Sequence, residues 1–146
     1  MPVRCDWALT GGANIGDAYL RYHDGVWGVP QRDPQTLFEF LILEGAQAGL
    51  SWSTILRKLD GYRRAYDGFD PELIAGYGDD DVARLLADEG IVRNRAKVAA
   101  SIRNARAWLE LDDPSQYLWS FTDGAVIDNA WPDMAALPAQ TERSEA

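Results

Sequence analysis

An all-α domain is what this sequence predicts, on three observations. Apolar–polar alternation and β-branched runs, the marks of strands, are scarce. Helix-start signals recur along the chain, with Asp33-Pro34 and Asp70-Pro71 each placing a capping carboxylate before a proline suited to a first helical position. And Val98, Ile102, Ala105 and Leu109 recur at three- and four-residue intervals, as a buried helical stripe does.

In order along the chain, Asp17 is placed to cap a short helix AYLRYH. Asp33-Pro34 opens TLFEFLILEGAQAG, in which Leu37, Leu41, Glu44 and Ala48 share one face, read as the buried one. Ser51 can cap WSTILRKLDGYRRAY as one helix, and Asp70-Pro71 starts ELIAGY. A helix from about Asp79 to Asp88 carries Val82, Leu85 and Leu86, and Gly90 is placed to end it in a positive-φ conformation. The helix from about Asn94 to Leu111 carries the stripe, with Arg95, Arg103 and Arg106 to one side. Pro114-Ser115 begins a last short helix, QYLWSF, and from Thr122 onward turn-forming residues prevail.

At 146 residues and 47% hydrophobic, the chain has material for one domain with its own core, spanning 1–146. One cysteine excludes an internal disulfide and points to a reducing, cytoplasmic setting. No apolar run approaches the ~20 residues that span a bilayer, so no membrane partner is expected. The formal charge of −9 argues against nucleic acid as a partner. Its distribution argues less strongly, because basic residues gather at 57–64 and again at 93–106, where no acid interrupts the run from Ile91 to Leu109. Solvated helix faces and a local basic patch both fit that pattern.

Four features carry chemistry. Glu44 is a charge on a helix face read as buried, so either a donor pairs it or it lines a pocket. Gly45, Ala46, Ala48 and Gly49 leave space beside it, and Trp52 can wall that space. Cys5 and His23 are the soft metal ligands of the chain, two where a closed structural zinc site takes four. Structural readings, a buried thiol and a capping or core histidine, stand beside the metal one. The hairpin GIVRNRAK at 90–97 joins two helices. Ile91 and Val92 can tuck inward, while outward backbone amides with Arg93, Arg95 and Lys97 make a phosphate site. Tyr19 and Tyr22, a turn apart, can pack in a core or stack on a ligand.

Taken together, RCDW, AYLRYHDGVWGVP, LFEFLILEGAQAGLSWSTILRKLDGYRRAYDGFDP, GIVRNRAK and YLWSF resemble the 3-methyladenine DNA glycosylase I family, from Arg4 to about Pro138. The resemblance implies a helix-hairpin-helix glycosylase fold and a cytoplasmic monomer. It also implies base-excision repair: hydrolysis of the N-glycosidic bond of 3-methyladenine in double-stranded alkylated DNA, with the free base as product. Glu44 then matches the catalytic pocket glutamate, Trp52 the stacking tryptophan, and Tyr19 and Tyr22 the pocket tyrosines. Gly90, Ile91, Val92, Arg93, Asn94, Arg95 and Lys97 match the DNA-backbone hairpin, and Cys5 and His23 half of a four-ligand structural zinc site. Three departures accompany the match. The family continues past the position of Ala146 into a segment with a second Cys/His pair and a basic stretch, so a C-terminally truncated glycosylase is expected. An inactive helical DNA- or protein-binding module is the alternative. The loop LTGGANIG is longer than the family's, and Val26 stands where the family carries an acid.

Overall fold

A computed structural model describes residues 3–10 and 16–145, in which every regular element is a helix. The chain divides into two compact units, residues 1–110 and 111–146. Most of the LTGGANIG loop lies outside the described residues.

Among the described residues the first unit holds eight α-helices: α1 (Asp6–Thr10), α2 (Asp17–Gly25), α3 (Pro34–Gln47), α4 (Trp52–Arg57), α5 (Leu59–Ala65), α6 (Pro71–Ala75), α7 (Asp79–Ala87) and α8 (Arg95–Leu109), with a 3-10 turn at Asp67–Phe69 between α5 and α6. Side-chain caps explain the main starts. Asp33 accepts from Thr36 N, Ser51 from Thr54 N, Asp70 from Glu72 N and Asn94 from Lys97 N. Asp17, in contrast, is the first residue of α2 and makes no side-chain cap. The helix expected over 52–66 is two, because the chain turns at Lys58. The ammonium of Lys58 donates to Glu89 O at 2.7 Å. The apolar spacing runs through the turn, so the pattern carries no sign of it.

Helix α8 is the central element, packed by α6, α7 and α3, while α2 and α3 both meet α4. Its buried stripe is Val98, Ile102, Ala105 and Trp108; the larger Trp108 packs against Phe38, and Leu109 is turned outward, 46% exposed. A stacked row of Tyr62, Tyr66 and Phe69 completes the core.

Two expectations are corrected here. The buried residues of α3 are Phe38, Ile42, Leu43 and Ala46, whereas Leu41, Glu44 and Ala48 are exposed. In a run as apolar as FEFLIL, a rotation of one residue changes which stripe meets the core. Gly90 does not have positive φ. Helix α5 crosses close to it: a Cβ on Gly61 would lie 2.2 Å from Gly90 O, while one on Gly90 would meet the Asp88 carboxylate at 2.9 Å and Gly61 Cα at 3.2 Å.

The second unit contains α9 (Pro114–Ser120), capped by Asp113, and α10 (Glu142–Glu145), a helix beyond the one read as last, with a 3-10 turn at Met134–Ala136. Tyr117 packs edge-on against Phe121, and Arg143 pairs with Asp123 at 3.0 Å.

Candidate base-recognition site

The first unit contains an open cleft of about 670 Å³ running along α3 and walled by α2, α4 and α5. Tyr22, Glu44 and Trp52 all line it. The Tyr22 and Trp52 rings are 5.4 Å apart at a 51° tilt, an aromatic corner with Glu44 beside it. Local sequence explains the placement. Glu44 sits near the C-terminal end of α3; the chain then turns through Ala48, Gly49 at φ +75° and Leu50, and Ser51 caps the helix that begins with Trp52.

The Glu44 carboxylate accepts no hydrogen bond and forms no ion pair with any described residue. It is exposed toward the open side of the cleft, yet desolvation by the walls pushes its carboxyl above the ordinary glutamate range. Burial, followed by the nearby Glu44 charge, raises the Tyr22 hydroxyl as well. The Trp52 indole N–H is enclosed and meets no acceptor among the described residues. Trp52 is therefore held by its faces and edges, not by a hydrogen bond. The donor that one structural reading of Glu44 required is absent among the described residues; the side chain lines a pocket instead.

Tyr19 is not part of the cleft lining. Its ring packs edge-on against Trp7 at 5.4 Å, and Trp7 also meets His23 and Trp27. Sequence reading missed Trp27 as well as Arg21, Phe40 and the Arg63–Glu39 pair (2.7 Å), all of which border the cleft. Trp27 lay in plain view within HDGVW; the others carry no distinguishing signal.

The hairpin between α7 and α8 spans Asp88 to Asn94. Its amides turn inward more than the pattern suggested: Gly90 N donates to Asp88 Oδ1, Ile91 N to Asp88 O, Val92 N to Tyr62 Oη and Asn94 N to Val92 O. Ile91 is buried and Val92 partly so. Arg93, Asn94 and Arg95 face solvent, Arg93 loosely paired with Glu89 at 3.9 Å. Lys97 points elsewhere, its Nζ donating to Ala46 O and Ala48 O, each at 2.7 Å. Arg84 and Arg106 do likewise, donating to Ala65 O and Ala75 O, the last carbonyls of α5 and α6. Three of the 14 basic side chains, Arg84, Lys97 and Arg106, thus serve helix ends.

Cys5 and His23 do meet. Cys5 N donates to His23 Nε2 at 3.3 Å, while His23 Nδ1 lies 2.8 Å from Asp24 Oδ1, and Arg4 forks onto the same carboxylate. A carboxylate orienting a histidine in this way is the usual support of a metal ligand. Yet no group of three or more His, Cys, Asp or Glu side chains among the described residues is arranged to hold a metal. The pair supplies two donors, fewer than a closed structural zinc site requires.

The profile of the methyladenine glycosylase family matches residues 13–146. The sequence is 41% identical to a DNA-3-methyladenine glycosylase of Haemophilus influenzae, across all of this chain and 78% of that protein. It is 39% identical to DNA-3-methyladenine glycosylase 1 of Escherichia coli, across 98% of this chain and 76% of that protein. Among solved structures, a crystal structure of 3-methyladenine DNA glycosylase I superposes with a TM-score of 0.89 at 41% identity, covering 98% of this chain and 78% of that one. A tyrosine-to-phenylalanine variant of 3-methyladenine DNA glycosylase I, in complex with 3-methyladenine, superposes with a TM-score of 0.84 at 31% identity, covering 95% and 76%.

Proposed function

The chain belongs to the methyladenine glycosylase family, and we propose that its cleft receives a flipped 3-methyladenine and that Glu44, Tyr22 and Trp52 read it there. The activity is that of a DNA-3-methyladenine glycosylase: base-excision repair by hydrolysis of the bond between the damaged base and its sugar.

One observation carries the residue assignment. An unpaired carboxylate stands beside two aromatic rings at the wall of a cleft large enough for a purine. A base methylated at N3 is cationic while attached to the sugar, and electron-rich ring faces together with a carboxylate favour a cation. Trp52 and Tyr22 supply the faces. Glu44 accepts from the exocyclic amine and so selects adenine. A base paired in the duplex cannot reach this corner, so the nucleotide must leave the stack first.

The chemistry needs little more from the protein. The positively charged base is a good leaving group: the C1′–N9 bond breaks with its electrons going to the base, which departs neutral. Water forms the new C1′–O bond and gives up one proton. No lysine is placed for covalent chemistry, since the ammonium groups of both lysines in the sequence, Lys58 and Lys97, donate to backbone carbonyls. Simple hydrolysis follows, without a Schiff base. We assign the DNA-backbone contacts to Arg93, Asn94 and Arg95 of the hairpin on a double-stranded substrate, and place the monomeric protein in the cytoplasm. No helix among the described residues is long and apolar enough to cross a membrane. Cys5 and His23, joined from Cys5 N to His23 Nε2, fasten the start of α1 to α2.

The test is release of 3-methyladenine from methylated duplex by the wild-type chain and by Glu44→Gln. The expected result is release by the wild type and a loss of about 10- to 100-fold in the variant, the worth of a hydrogen bond to a charged group. Equal rates would remove Glu44 from the site.

A further inference from the structure

Helix α3 ends at Gln47 with no basic residue in its last turn to satisfy its carbonyls. The cap comes from another helix: Lys97 Nζ donates to both Ala46 O and Ala48 O. These two carbonyls lie between Glu44 and Trp52, on the turn that sets the carboxylate against the indole. Helices α3 and α8 also pack through Phe38 and Trp108. Beside the Lys97 contact they border a depression of about 320 Å³, lined by residues that include Gly45, Ala48, Ala96 and Ala100.

Lys97 itself is fixed at its backbone. Its N–H donates to the Asn94 cap at 3.0 Å, and its carbonyl accepts from Ser101 Oγ at 3.0 Å. Asn94 ends the hairpin, which is locked in turn against α5 by the Gly61–Gly90 approach and by Val92 N on Tyr62 Oη. A continuous set of contacts therefore runs from the hairpin through Lys97 to the turn between Glu44 and Trp52.

We propose that Lys97 is a positioning residue for base excision, holding the Glu44–Trp52 turn in register with the DNA-contacting hairpin, and is not a ligand of the DNA backbone. The proposal rests on Glu44 and Trp52 forming the base site. Two of the three ammonium donors are used internally, and what Lys97 governs is the geometry of the site more than its occupancy by DNA. A displacement of about 1 Å in such a site costs on the order of 100-fold in rate.

The experiment compares the full chain with Lys97→Met and Lys97→Arg. Three quantities are measured: affinity for undamaged duplex as a function of salt, single-turnover release of 3-methyladenine at saturating protein, and amide hydrogen exchange over residues 47–52, with thermal melting to correct for folded fraction. For Lys97→Met the account expects duplex affinity and salt slope unchanged within twofold, release per folded molecule reduced about 10- to 100-fold, and faster exchange at 47–52. Lys97→Arg, which keeps a donor for at least one carbonyl, should recover most of the rate. A salt slope lowered by about one with release at saturation intact would make Lys97 a phosphate contact and overturn the proposal. So would unchanged release and exchange, or a loss accounted for wholly by unfolding. If the wild type releases no base, the functional reading fails, while the exchange comparison still decides whether Lys97 holds the turn.

Discussion

Gly61 on α5 lies so close to Gly90 in the hairpin that a Cβ on Gly61 would fall 2.2 Å from Gly90 O and 2.8 Å from Gly90 Cα. Both obstructing atoms belong to backbone, so neither can swing aside. The hairpin is thereby seated on the same helix that contributes Leu59 and Arg63 to the cleft.

Gly61→Ala should destabilise the protein by about 1–3 kcal/mol or more, as forced overpacking does, read as a lowered midpoint in denaturant. Gly90→Ala should cost less, because its nearest obstruction, at 2.9 Å, is the Asp88 carboxylate, a side chain able to move. The reverse order would show that the two segments are not pressed together.

Glu44 makes excision sensitive to acid. Its folded-state pKa is raised by desolvation above the ordinary value of 4.5, so the accepting carboxylate is lost at a higher pH than an ordinary glutamate would lose it. The excision rate should fall on the acid side with an inflection above 4.5, and Glu44→Gln should lack that limb. For stability the sign is opposite. A raised folded pKa favours the protonated form, so what this group contributes is present below its unfolded pKa and lost as pH rises through the folded one. Glu44→Gln should therefore leave stability at neutral pH unchanged or increased, as thermal melting would show.

Trp52→Ala should weaken binding of free 3-methyladenine by about 1–3 kcal/mol, the usual worth of a base–aromatic stack, measured by calorimetric titration. Retained affinity would place the base elsewhere.

Arg95 stands at the first position of α8, exposed and without an acidic partner among the described residues. Arg95→Ala should weaken duplex binding regardless of sequence and lower the salt slope by about one, leaving release at saturation intact. Filter binding across a salt series reads both.

Asp24 is held down to about 2 by its hydrogen bonds to Arg4 and His23. A lowered pKa contributes stability above the unfolded value near 3.8, lost as pH falls through about 2. The tie between residue 4 and α2 should therefore persist at pH 5 and loosen across that window, followed by the His23 ring resonances. Because this pair offers only two donors, treatment with a chelator should leave base release unchanged; a fall would show that a bound metal supports the fold.

The sequence made much of this legible, for identifiable reasons. Asp33, Ser51 and Asp70 cap where they stand because a short polar side chain before a helix has one local use. The quoted motifs pointed to Glu44, Trp52 and Tyr22, which the fold brings to one cleft. What escaped was tertiary. A run such as FEFLIL does not say which side meets the core, so its spacing puts Glu44 on a buried face while the fold turns it to the cleft. Gly90 reads as a turn glycine, while the fold sets it without positive φ against the distant Gly61. Proximity in sequence groups Lys97 with Arg93 and Arg95, and only the folded chain shows its ammonium on the far end of α3.

The most direct measurement is a crystal structure of this chain soaked with 3-methyladenine. The base should lie in the corner between Tyr22 and Trp52, with ring faces in contact and a base nitrogen donor about 2.7–3.2 Å from a Glu44 carboxylate oxygen. A base bound away from that corner, or within it but out of reach of Glu44, would contradict the account.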